Sequence, residues 1–330
     1  MANNAIDVSS KQPAIPKRRN QMVSFFIRLV REKPMGTVGA VIVLGLLITG
    51  IFSDVLAPYG FNQIDLRAVL MPPSSEHLMG TDQLGRDLLS RIIYGARISM
   101  FVGLGASAID VFLATLIGIV SGYFGGKVDL ALQRFVDATI VFPPLFFYLA
   151  VMAIIGPGLL QVTFCLGILR GIGSSRLIRS AVLGAKQNTY VDAAHAIGAP
   201  DIVILLRHLL PNVSAPAIII FTVAMGQVII AEASLSFLGF GIPPPNPSWG
   251  GMLSREARKY MFDAPWMAIW PGLALSLVVY GINMFGDALR DLLDPRLRGG
   301  VGGMGAYGTE KAKKALAKKT RGDRHNSQKQ

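Results

Sequence analysis

Five long stretches of this chain carry almost no charge, and that pattern removes most folds at once. Pro34–Ser53, Ala138–Leu169, Leu209–Ala231 and Ala264–Gly286 contain no Asp, Glu, Lys or Arg, and Ile98–Gly126 contains only Asp110. A run of roughly 20 apolar residues, at about 1.5 Å rise each, crosses a hydrocarbon core of about 30 Å. The stretches therefore predict an all-α integral membrane protein. Ala138–Leu169 is too long for one helix, and Gly156-Pro157-Gly158 breaks it in the middle. Six spans are expected, at about 34–56, 98–123, 138–155, 159–177, 213–238 and 265–288.

Charge sets the expected orientation. An even number of spans puts both termini on one side, and Lys/Arg bias marks that side as cytoplasmic. Seven Lys/Arg precede Pro34 and eleven follow from Arg290 onward. Loops assigned to the same side add Lys127, Arg134, Arg170, Arg176, Arg179, Lys186 and Arg207. The chain then divides into a cytoplasmic tail (1–33), a first transmembrane helix (34–56) and an extracytoplasmic segment (57–97). A five-helix core (98–290), containing a cytoplasmic loop at 187–212, and a basic cytoplasmic tail (291–330) complete it. Ser24–Lys33 reads as a basic amphipathic helix lying at the interface. The first span follows more than thirty residues of mostly polar, basic sequence and is not expected to be a cleaved signal.

The formal net charge of +12 could suggest nucleic acid, but its one-sided distribution is explained by topology. The C-terminal run "TEKAKKALAKKTRGDRHNSQK" reads as a solvated segment held near anionic lipid. No nucleic-acid partner is expected.

Several chemistries lack their residues. Gly126-Lys127 is not a phosphate loop, because Ser121 stands where the leading glycine belongs and Val128 follows the lysine. Without that loop, ATP binding by this chain alone is not expected. His-Glu-x-x-His, Gly-x-Ser-x-Gly and Cys-x-x-Cys are absent. Cys165 is the single cysteine, so no intrachain disulfide is available. His195 and His208 share a segment with Asp192 and Asp201, but these read as polar helix faces rather than a metal cluster. Neither a metal nor a cofactor is expected, and neither is covalent chemistry.

One stretch does not fit the apolar pattern: "YVDAAHAIGAPDIVILLRHLLPN", residues 190–212. Val191–Ile197 favours a helix, Gly198-Ala199-Pro200 ends it, and Asp201–Leu210 can restart one. Two short helices at an angle would form a knob on the membrane surface. Leu210-Pro211 would then redirect the chain into the fifth span. The segment by itself is equally compatible with a docking knob and with a plain interfacial elbow.

Its pattern resembles the coupling-loop motif of ABC importer permeases: Glu-Ala-Ala, three residues, Gly, nine residues, Ile-x-Leu-Pro. Asp192-Ala193-Ala194, Gly198 and Leu210-Pro211 keep that spacing, whereas Asp192 replaces the usual Glu and His208 the usual Ile. "HLMGTDQLGRDLLSRIIYGARISM", "AEASLSFLGFGIPPPNPSWGGML" and "FGDALRDLLDPRLRG" resemble the second, C-type permease of the peptide/nickel class. The likeness runs from about residue 24 to 299. It implies a type I permease fold with cytoplasmic coupling helices, forming half of a transmembrane channel in the bacterial inner membrane. The implied partners are a homologous B-type permease, one or two cytoplasmic ABC ATPases and an extracytoplasmic substrate-binding protein. Tyr190, Asp192, Ala193, Ala194, Gly198, Asp201, Leu210 and Pro211 would then face the ATPase. Di- or oligopeptides are the first substrate class; glutathione-like peptides, nickel chelates and some sugars are the alternatives within the family.

Charges within the spans are costly unless paired or wetted. Asp110 and Arg170 each lie about 18 Å below the outer face at about 1.5 Å per residue. They are expected either to pair or to line the substrate path, with a snorkelling Arg170 as the alternative. Glu232 is a candidate for the outer gate or for helix-to-helix pairing. Asp287, Arg290, Asp291 and Asp294 read as a charge ladder ending the last span. Gly118 and Gly122 should let the second span pack closely on a neighbour. Thr81 or Asp82 is expected to cap the helix entering that span, and Trp249 to sit at the membrane interface. A stand-alone ion-coupled carrier would show an internal inverted repeat and a midplane ion site. A membrane-embedded enzyme would need a polar cluster richer than Asp110 with Arg170.

Overall fold

The computed structural model describes residues 21–293, and these are all-α. Residues 1–20 and 294–330, including most of both basic tails and Asp294, lie outside the described residues. A first helix, α1 (Gln21–Glu32), precedes the apolar α2 (Pro34–Ile51), which Pro34 opens where its missing N–H costs nothing. A single turn, α3 (Ser53–Leu56), follows. Residues 57–87 form an irregular cap leading into the 37-residue α4 (Leu88–Phe124). Then come α5 (Gly126–Ile140), α6 (Pro144–Ile155), α7 (Leu159–Lys186) and α8 (Thr189–Ala196). The run from α9 (Asp201–Val203) through a π-helical stretch (Ile204–Leu209) to α10 (Leu210–Phe237) is continuous. Two short helices, α11 (Trp249–Met252) and α12 (Arg255–Lys259), precede α13 (Trp266–Leu293).

Four of these are each long and apolar enough to cross a bilayer: α2, α4, the run Asp201–Phe237 and α13. Counting α5 and α6 as one bent span gives five, against the six expected. The difference lies in the expected third and fourth spans. The third, 138–155, is divided by an 89° bend, and its straight part α6 has 12 residues, or about 18 Å. Pro143 and Pro144 sit at the bend and supply no backbone N–H to continue α5. The fourth, α7, is 28 residues long, but Arg170, Arg176 and Arg179 make it too polar to qualify. Other boundaries move as well. The first span ends at Ile51 rather than 56, and the second starts ten residues early because the entering helix fuses with it.

Lipid tails are as apolar as leucine, so helix association here rests on close packing rather than on the hydrophobic effect. Among the described helices the α4–α7 contact is the most extensive. At Gly118, a Cβ would fall 2.7 Å from both the Ile178 Cβ and the Ser175 carbonyl oxygen; at Gly122 it would meet Val182. The expected close packing of these two glycines is therefore onto α7. The α2 helix packs on α13, and the N-terminal α1 buries Leu29 against Ala288 and Leu292. Lys33 Nζ lies 2.5 Å from Asp291 Oδ2, so Asp291 serves a contact between distant parts of the chain as well as ending its helix.

The residues around the start of α4 correct one further expectation. The α4 N-cap is Asp87, which accepts from the Ser90 backbone N–H at 2.8 Å, and not Thr81 or Asp82. Trp249 is buried within the protein, donating from Nε1 to the Ile92 carbonyl at 3.1 Å.

Candidate functional site

One end of the bundle carries the 190–212 segment. Helix α8 stops where Gly198 takes a φ of +76°, a left-handed position that suits glycine, and Pro200 precedes the restart. Contrary to expectation, Leu210-Pro211 does not turn the chain. Pro211 falls in the first turn of α10, and the helix runs on from the π stretch without a break.

The segment is two-faced. Val191, Ala194, Ile204, Leu205 and Leu209 are buried in one cluster with Ile119, Tyr123, Ile178 and Val182. Burial of each large side chain is worth about 1.5–3 kcal/mol. The opposite face leaves Tyr190, Ile197, Ile202, Val203, Leu206 and Leu210 exposed, with Ile197 84% exposed. Asp192, Ala193, Gly198, Asp201 and Pro211 are exposed as well, so among the eight expected contact residues only Ala194 faces inward.

Tyr123, at the end of α4, anchors this surface. Its hydroxyl donates to Asp201 Oδ1 at 2.5 Å, and its ring stacks on His195 with centroids 6.1 Å apart and planes at 9°. Lys186 Nζ donates to the Tyr123 carbonyl at 2.6 Å and lies over the same ring. His208 lies against Tyr190, with centroids 6.2 Å apart. Asp201 is thus held within the chain, whereas Asp192 makes no ion pair among the described residues. Tyr123 was not singled out from sequence, because 78 residues separate it from Asp201 and no local pattern links them.

Within the bundle, Arg170 Nε donates to Asp110 Oδ2 at 3.3 Å, with Asp110 wholly buried. The pair joins α4 to α7, and each partner offsets the cost of burying the other. Glu232 is also fully buried; its Oε1 accepts from Ser236 Oγ at 2.7 Å, one turn on in α10, and Ser248, the N-cap of α11, lies within reach. The three charged candidates do not form one cluster.

The other end holds a polar arrangement not recognised as such in the sequence. Asp82, buried in the cap, accepts from Arg86 Nε at 2.7 Å and lies 3.6 Å from Arg91 Nε. His77 Nδ1 lies 3.0 Å from Asp87 Oδ1, and Trp266 Nε1 donates to the Thr81 carbonyl. These groups lie in the quoted "HLMGTDQLGRDLLSR", whose spacing did not show that they converge. Beside them a cavity of about 510 Å³ opens between Asp82, Arg86, Ser236, Ser248 and Met267. Just past α2, Asp54 Oδ2 receives Arg97 Nη2 at 2.5 Å, and this hydrogen bond holds the Asp54 carboxyl below the usual carboxylate range.

Comparisons with known proteins cover both ends. Residues 114–299, from mid-α4 through the two-faced segment and α13, match the family described as binding-protein-dependent transport system inner membrane component. Residues 21–73 match the N-terminal transmembrane domain of oligopeptide transport permease C. The dipeptide transport system permease protein DppC of Alkalihalophilus pseudofirmus is 36% identical over 269 residues, covering 82% of this chain and 88% of that protein. The glutathione transport system permease protein GsiD of Escherichia coli is 40% identical over 275 residues, covering 83% and 90%. The chain belongs to the binding-protein-dependent transport system inner membrane component family, as a permease of the C type.

Proposed function

We propose that this chain is one transmembrane half of an ATP-driven importer for di- or oligopeptides, working without catalytic chemistry of its own. Relatives named for dipeptide and for glutathione transport support a peptide substrate, with glutathione-like peptides as the second reading. A homologous B-type permease would complete the pathway, a binding protein would deliver substrate, and one or two ABC ATPases would supply the drive.

The observation that carries this reading is the two-faced segment at 189–210. A surface that buries five side chains and leaves Tyr190, Ile197, Ile202, Leu206 and Leu210 uncovered is suited to a groove on a soluble partner. We place that segment in the cytoplasm together with both termini, as the Lys/Arg bias favours. In this arrangement α6 and α7 complete a six-span topology, with α7's arginines facing protein or water rather than lipid. Nucleotide-driven closure would then rock the two permeases between inward- and outward-facing states. Asp110, Arg170 and Glu232 are the candidate pathway or gate residues.

Site-directed cross-linking tests it. In a Cys165→Ser background, Ala193→Cys should cross-link to a co-expressed ATPase and change yield with nucleotide state. Purification of a fully active transporter lacking any ATPase would overturn the reading.

A further inference from the structure

At the bend between α5 and α6 a cavity of about 240 Å³ opens, bordered by Thr139, Phe142, Phe147, Tyr148, Arg170 and Ser174 among others. Arg170 is the single charged residue among the described residues of its lining. Its guanidinium has five N–H donors in a planar fork. One of them, on Nε, goes to Asp110, and the Tyr148 hydroxyl lies within hydrogen-bonding reach. Asp110 is wholly buried behind the arginine, while the Arg170 side chain is 20% exposed.

A guanidinium at the edge of an aromatic cavity suits a planar monoanion with an apolar neighbour. Phe142, Phe147 and Tyr148 in the wall lower the local dielectric beside the guanidinium, so the attraction is stronger than it would be in bulk water. Asp110 already offsets much of the arginine charge, which disfavours a dianion and keeps a monoanion weakly held. Weak holding is required where a ligand must leave again.

We propose that this cavity is a carboxylate subsite, in which Arg170 takes the terminal carboxylate of a short peptide while Phe142 and Phe147 cover its last side chain. The choice of a peptide rests on the transport function proposed above; the anion site itself rests on the cavity and the charge pair.

The test uses the full chain in nanodiscs of phosphatidylcholine, with the dipeptide Ala-Phe and its C-terminal amide as probes, followed by saturation-transfer NMR. Wild type should bind the acid about tenfold more tightly than the amide. Asp110→Asn, which frees the guanidinium, should tighten the acid several-fold and leave the amide unchanged. The Asp110→Asn/Arg170→Gln double variant leaves no unpaired buried charge, so it should fold, as judged by circular dichroism, and bind acid and amide alike. Equal binding of the two probes by wild type, or an acid preference that survives in the double variant, would overturn the subsite. So would phosphatidylglycerol in the disc abolishing acid binding, since that outcome assigns the arginine to a lipid headgroup. Uptake by the assembled importer separates this from the parent proposal. Uptake unaffected by the double variant removes the subsite and leaves transport standing. Absent uptake with an Arg170-dependent acid preference removes peptide transport and leaves the anion site standing.

Discussion

The Tyr123 hydroxyl and the Asp201 carboxylate meet at 2.5 Å, tying the end of α4 to the start of the long helical run that follows the α8 turn. Together they set the position of the exposed surface relative to the bundle. Tyr123→Phe keeps the buried ring and deletes one hydrogen bond to a charged group, a loss of about 1 kcal/mol at this partly exposed site. Backbone amides of residues 198–205 should exchange faster in deuterium oxide, while the global unfolding temperature stays close to wild type. Coupled uptake should fall several-fold.

Asp192 is exposed and makes no ion pair among the described residues, so under the proposed function its contribution would concern a partner more than stability. Asp192→Glu extends the acid by one methylene and should leave stability within about 0.5 kcal/mol. ATPase stimulation in the assembled importer should be equal to or greater than wild type. Asp192→Lys should lower it without affecting membrane insertion.

The α4–α7 contact has no room at Gly118. Gly118→Val should cost about 1–3 kcal/mol through forced separation of the helices, measured as a lower midpoint in a detergent-unfolding titration. Gly45, on a face with nothing within 4 Å, provides the control: Gly45→Val should unfold like wild type.

The Glu232 carboxylate accepts from Ser236 one turn on in α10 and lies near Ser248. An amide can still accept from Ser236, so Glu232→Gln should retain the fold and most of the transport. Glu232→Ala leaves the buried Ser236 O–H without its acceptor, although Ile242 N–H still donates to the same oxygen, and should cost about 1–3 kcal/mol. Complete loss of uptake in Glu232→Gln, at unchanged thermal stability, would show instead that the charge itself is used.

Asp54 carries a pH signature. Hydrogen bonding from Arg97 lowers its folded-state pKa beneath the ordinary aspartate value, so the pair stabilises the α3–α4 contact above that value. The stabilisation is lost as pH falls through the folded value. Carbon-detected NMR of the Asp54 carboxyl should show titration below the ordinary aspartate range, and Arg97→Gln should move the midpoint back up.

Much of this architecture is legible in one dimension. Uncharged length locates α2, α4, α10 and α13, because a bilayer imposes one requirement on every residue of a span. The α8 helix and the Gly198 turn are legible for a different reason: a glycine and a proline two residues apart act locally. What could not be read was set by contacts at long range. The fate of Leu210-Pro211 depended on the π stretch before it, where packing of Ile204, Leu205 and Leu209 carries the helix onward. The 89° bend between α5 and α6 was hidden because apolar composition continues across it. Asp82, Arg86 and Arg91 were visible as residues, but their convergence required the cap to fold back on α4. At Asp110 and Arg170 the expense of a buried charge was evident from sequence, whereas their 3.3 Å approach depended on the register between two helices.

One helix touches both ends of this molecule. Asp87 opens α4 beside the buried Asp82 cluster, and Tyr123 lies one residue before its close, about 55 Å away for 37 residues. A continuous α-helix is stiff along its axis, since stretching it would strain every successive hydrogen bond. An axial displacement at one end would therefore reach the other with little change in the helix's length. The salt-bridged cap and the tyrosine hook are thus held a fixed distance apart by a single rod.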